Sequence, residues 1–100
     1  MPRPATDVVH CEVELFGMAR LATGRRQVPL DLPGPATLRD VTRALATSCP
    51  ALLGKAVTAD LAGLVDGYVF NVNGFSFAAS LDATVSSGDC VLLLSDQAGG

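Results

Sequence analysis

The stretch Cys90-Val91-Leu92-Leu93-Leu94 is apolar on both faces, and such a strand belongs in the middle of a sheet with a neighbour on either side. It also lies at the end of the chain, so the earlier segments must leave a central place for it. Val9, Cys11, Val13 and Leu15 alternate with His10, Glu12 and Glu14, the period of two of a strand with one buried face. Val28, Leu30 and Leu32 alternate in the same way with Gln27, Pro29 and Asp31. With Thr23-Gly24 as a turn between them, the two runs form a hairpin with matching inner faces. Pro29 has no N–H to give a neighbour, which assigns its strand to the sheet edge.

Pro33-Gly34-Pro35 ends that strand. Thr37 then stands as a helix N-cap, with Asp40 near the positive end of the helix dipole. Leu38, Val41 and Leu45 recur at helical spacing, while Arg39 and Arg43 fall on the polar side. Pro50 disfavours helical geometry at Cys49, so the helix ends near Ser48. Residues 51–67 allow one or two short helical turns broken by Gly54 and Gly63. Residues 68–72 form a strand, Asn73-Gly74 a turn and 75–78 a short strand. Leu81 and Val85 pack beneath a crossing loop, and Ser86-Ser87-Gly88-Asp89 turns the chain into the last strand at 90–94.

This order gives an α+β domain: a ubiquitin-like β-grasp, with a mixed sheet of four to five strands and one main helix on one face. Residues 1–7 form a flexible arm, 8–94 the domain and 95–100 a flexible tail. One hundred residues suffice for one modest core. With 49% hydrophobic and 17% charged residues and a mean hydropathy of +0.39, apolar surface is left over for a partner.

Several function classes are excluded. A net charge of −3 is wrong for a nucleic-acid binder. No run approaches the ~20 apolar residues of a membrane span, and the first residues do not make a signal peptide, so a cytoplasmic protein is expected. Cys11, Cys49 and Cys90 are too far apart for a CxxC metal site or an iron–sulfur cluster; Cys11 and Cys90 read as small core residues. His10 has no carboxylate or cysteine at catalytic spacing and reads as an exposed strand residue. Arg20, Arg25 and Arg26 cluster either as a solvated hairpin end or as a contact for an acidic partner. Lys55 is the single lysine, which leaves almost no amine for chain-forming conjugation.

The sequence closes on Gly99-Gly100. Two residues without a Cβ make a slim terminus able to thread a narrow active site. Residues 95–100 extend about 20 Å at ~3.3–3.6 Å each. Phe16-Gly17-Met18-Ala19-Arg20-Leu21, Thr37-Leu38-Arg39-Asp40-Val41, Val72-Asn73-Gly74, Gly88-Asp89-Cys90-Val91 and Gly99-Gly100 together resemble, in order, the bacterial sulfur-carrier family. That family includes the small subunit of molybdopterin synthase and the thiamine-pathway sulfur carrier. Ser95-Asp96 departs from the Pro-Pro pair that typically precedes the tail of the molybdopterin synthase subunit, and the N-terminal arm is extra.

The resemblance implies a carrier rather than an enzyme, possessing no catalytic residues, metal or bound cofactor of its own. A separate ATP-dependent enzyme adenylates the Gly100 carboxylate, Gly99 lets the tail thread, and sulfur from a donor such as a persulfide enzyme replaces AMP. The resulting thiocarboxylate gives its sulfur to a synthase subunit, molybdopterin synthesis being the first expectation. Thiazole, cysteine or specialised-metabolite synthesis is the alternative, as is a modifier joined through Gly100 to a partner's lysine. A plain β-grasp interaction domain is the third reading. Partners should dock on the sheet face that the helix leaves uncovered, with Phe16, Phe75 and Phe77 as candidates.

Overall fold

A computed structural model describes residues 8–95. The elements run β1 (Val8–Leu15), α1 (Gly17–Thr23), β2 (Gln27–Pro33), β3 (Ala36–Thr37), α2 (Leu38–Ser48), a 3₁₀ turn (Pro50–Leu52), β4 (Tyr68–Val72), β5 (Ser76–Phe77), β6 (Thr84–Val85) and β7 (Cys90–Ser95). The main sheet has five strands in the order β2-β1-β7-β4-β5. β7 is central, parallel to β1 and antiparallel to β4, and β2, the strand with Pro29, is at an edge. This is the β-grasp, with a mixed sheet and one main helix.

The inner face carries the core. Cys11, Val13, Leu15, Val28, Leu30, Leu32, Phe70, Val91 and Leu93 from the sheet meet Leu38, Val41, Leu45 and Ala46 of α2, all of them buried. The helix starts where expected. The Thr37 N–H donates to Asp40 Oδ2 at 2.9 Å, and the Thr37 hydroxyl donates to the same oxygen at 3.3 Å. Thr42 is buried on the apolar stripe but satisfied, donating to the Leu38 carbonyl at 2.8 Å. The helix ends at Ser48, and Cys49, the residue before Pro50, has left helical geometry at φ −132° and ψ 75°.

Four features differ from the sequence expectation. The β1–β2 connection contains a helix: Gly24, at φ +69°, is the left-handed cap of α1, and its N–H donates to the Arg20 carbonyl at 2.8 Å. The cluster of Arg20, Arg25 and Arg26 therefore belongs to a helix end and the loop after it, not to a hairpin tip. Within 51–67 one short helical turn is present, as a 3₁₀ turn ending at Leu52, but Leu53, Val57 and Leu64 also form isolated bridges that the sequence did not suggest. Val85 packs through a separate two-stranded pairing of β6 with β3, in which Ala36 faces Val85. Lastly, β7 runs to Ser95, one residue further than expected.

The Asn73-Gly74 turn is as expected, both residues having positive φ (59° and 78°). Asn73 also ties this turn to the start of β7: its Oδ1 accepts from the Cys90 N–H at 2.8 Å, and its Nδ2 donates to Asp89 at 3.1 Å.

Candidate functional site

Gly99 and Gly100, like the rest of the expected tail beyond Ser95 and the expected N-terminal arm, lie outside the described residues. What the structure fixes is the root of the C-terminal segment. Ser95 pairs opposite Tyr68 at the end of the central strand, next to the end of β1 where Leu15 faces Leu93. Because β7 parallels β1, the chain leaves the sheet at the end where α1 begins. Five residues remain beyond Ser95, a reach of at most about 18 Å.

Both helices leave the outer face of the sheet open. Register places Phe77, Asn71, Leu92, Glu14 and Gln27 in one row across it, from β5 to β2. Val69 and Leu94 form a neighbouring pair, and Cys90 pairs with Glu12, which faces Pro29. Apart from Asn71, the face is thus apolar over β5, β4 and β7, and it is acidic along β1. Although β7 is apolar on both faces, only Val91 and Leu93 are fully buried; Leu92 and Leu94 are half-buried. Of the candidate aromatics, Phe77 lies on this face and is 66% exposed, and Phe75 is 89% exposed in the turn beside it. Phe16 is half-buried and caps α1 elsewhere. Sequence reasoning missed Asn71, which is 5% exposed and whose Oδ1 has no hydrogen-bond partner. It also missed Met18 and Leu21, exposed on α1.

His10 is exposed, as expected, but it has a carboxylate: Nδ1 lies 2.6 Å from Asp31 Oδ1 across the β1–β2 pair. Pairing Cys11 with Leu30 puts His10 opposite Asp31, so the hairpin's matching faces already held this signal. Among the described residues, no group of three or more His, Cys, Asp and Glu could hold a metal ion. No helix among them is long and apolar enough to cross a membrane.

The thiols are placed for packing rather than chemistry. Cys11 and Cys49 are buried, and Cys90, expected in the core, is half-buried with Sγ 3.9 Å from Glu14 Oε1. Desolvation raises the Cys11 thiol, helped by Asp89 and Asp31. Desolvation followed by the charges of Glu14 and Glu12 raises Cys90. A raised native value means that this contribution to stability is intact below the ordinary thiol range and is lost as pH climbs through the raised one. The thiolate is the reactive form, so alkylation with iodoacetamide at neutral pH is expected to be slower at Cys11 and Cys90 than for a free thiol, and burial shields Cys49 from the reagent. Cys90 should react first. Peptide mapping of a time course checks this, and rapid labelling of Cys90 would contradict it.

No protein-family model matches the chain, and no curated protein matches it. Solved structures do. SAMP1 of Haloferax volcanii, a small archaeal modifier protein, is 31% identical, with a TM-score of 0.79 over 91% of this chain and 99% of its own. A Pyrococcus furiosus protein described as molybdopterin converting factor, subunit 1, is 23% identical, with a TM-score of 0.69 over 89% of this chain and 99% of its own. The BexX/CysO complex of Amycolatopsis orientalis includes a chain 22% identical, with a TM-score of 0.68 over 90% and 99%. At the last two identities the likeness shows the fold; at the first, over nearly the whole of both chains, it shows common membership. The chain belongs to the ubiquitin-like sulfur-carrier and modifier family.

Proposed function

We propose that this protein is a sulfur carrier whose Gly100 carboxylate is adenylated by a partner enzyme and converted to a thiocarboxylate that donates sulfur in cofactor biosynthesis, molybdopterin first. The observation that carries this reading is a β-grasp of this family with a Gly-Gly sequence five residues beyond its central strand. A carboxylate resists attack at neutral pH. Attack of its oxygen on the α-phosphorus of ATP releases pyrophosphate and leaves an acyl-adenylate. Sulfide, free or delivered from a persulfide with a thiol reductant, then attacks the acyl carbon and displaces AMP. The carrier's own residues take no part in these bond changes. They hold the acceptor carbon at the end of a short segment and present a docking face.

A second reading is favoured by the name of the relative at 31% identity, a modifier. In that reading the amine of a partner protein's lysine attacks the acyl carbon of the same adenylate and displaces AMP, leaving an isopeptide bond to Gly100. The description of the P. furiosus neighbour as a molybdopterin converting factor subunit favours the molybdopterin route within the carrier reading. ATP–pyrophosphate exchange tests the shared step. The full chain, incubated with an adenylating enzyme from its own cell, ATP and labelled pyrophosphate, is expected to support label entry into ATP. No exchange with any such enzyme would reject both readings and leave a plain interaction domain.

A further inference from the structure

Asn71 breaks the rule that buried polar groups are paired, and it does so on the open sheet face, one strand in from the β5 edge. It is 5% exposed, and among the described residues its Oδ1 alone is a fully shielded side-chain polar atom without a hydrogen-bond partner. Its neighbours in the row are apolar, Phe77 on one side and Leu92 on the other. Strand alternation puts it on the outer face, away from Phe70 and the core. Folding alone does not call for an amide there, since an apolar side chain of the same shape would avoid an unmet hydrogen bond.

We propose that Asn71 is the specificity-determining residue of the docking face, its Oδ1 accepting a hydrogen bond from a donor on the adenylating enzyme when that enzyme seats on the sheet. The inference rests on the carrier reading above. Access requires that the side chains shielding Oδ1 give way as the partner docks. Phe77, directly opposite on the two-residue edge strand β5, is 66% exposed and has little to hold it. Docking then removes the site from water, where a met hydrogen bond separates a correct partner from one that offers only apolar surface. The flanking charge narrows the partner further. Glu12 and Glu14 line the face beside Leu92 and Cys90, and none of the strands of this sheet contains Lys or Arg. The matching surface is therefore apolar, with a hydrogen-bond donor opposite Asn71 and basic residues on one flank. A second copy pairing through the same sheet face supplies no such flank.

The test is Asn71→Leu, which keeps the branching at Cγ and removes both polar atoms, in the full chain. The thermal midpoint is expected to rise by about 4 °C or more, because an unmet buried group is gone. Affinity for the adenylating enzyme, measured without ATP, is expected to fall about tenfold or more. Stability and binding moving in opposite directions is what a merely structural role would not produce. A second measurement needs no variant: the Asn71 side-chain amide resonances of the unsubstituted, isotope-labelled chain should shift on saturation with the enzyme. Unchanged affinity of the variant, or unshifted amide resonances at saturation, overturns the proposal. If the unsubstituted chain supports exchange and the variant binds as well, only this inference fails. If the variant binds weakly but no exchange occurs, only the carrier reading fails. If the enzyme does not bind the unsubstituted chain, both fall.

Discussion

Removing Gly100 is expected to reduce adenylation at least about 100-fold while leaving the thermal midpoint where it was. The truncated chain still ends in a glycine carboxylate, so the loss would come from geometry and not from missing chemistry. One residue fewer shortens the reach beyond Ser95 by ~3.3–3.6 Å, and an attacking oxygen misplaced by even about 1 Å forfeits most of the advantage of being bound. The domain has no reason to notice, because the buried core described above extends no further along the chain than Leu93. Gly100→Ala keeps the length but adds a Cβ and restricts φ, and an intermediate loss is expected. Pyrophosphate exchange read beside a melting curve checks both variants. Full exchange by the truncated chain would mean that its end is not the reacting group.

The second large effect concerns two consecutive leucines of the central strand. Leu93 is fully buried on the inner face, and Leu93→Ala should cost about 2–5 kcal/mol, a large share of the ~5–15 kcal/mol that holds a domain together. Leu92 points to the open face and is only half-buried. Leu92→Ala should cost no more than about 1 kcal/mol, since only part of its apolar area leaves water on folding. Binding should respond in the reverse order: Leu92→Ala weakens the adenylating enzyme's grip, and Leu93→Ala spares it as long as the chain is folded. Urea unfolding of the two variants separates them. Equal losses would show that the outer face is as well covered as the inner one.

That asymmetry also explains what could and could not be read from the sequence. The alternation in β1 and β2, the Thr37-Asp40 helix start and the Asn73-Gly74 turn are local signals, each set within a few residues, and each is realised. The central place of β7 followed from its composition. Its half-covered outer face did not, because a strand apolar on both sides looks the same whether the second cover is its own domain or a partner. Helix α1 escaped notice because Phe16 offers no capping side chain and only Ala19 is buried, so no apolar stripe marks it. Its Gly24 cap resembles a turn glycine in sequence. The β3–β6 pair is two residues long and joins segments far apart in the chain, beyond any periodic signal. Asn71 did carry a signal, a lone amide within the apolar run 68–72, but its meaning depended on knowing which face it occupied.

The central claim, that the terminal carboxylate is the reacting group, is tested most directly by the mass of the C-terminal peptide of protein taken from its own cells. The account predicts a gain of about 16 Da at Gly100, sulfur in place of one oxygen. A Gly100 found only as an unmodified carboxylate under conditions that demand the sulfur product would contradict it, and a Gly100 joined to lysine side chains of other proteins would establish the modifier instead.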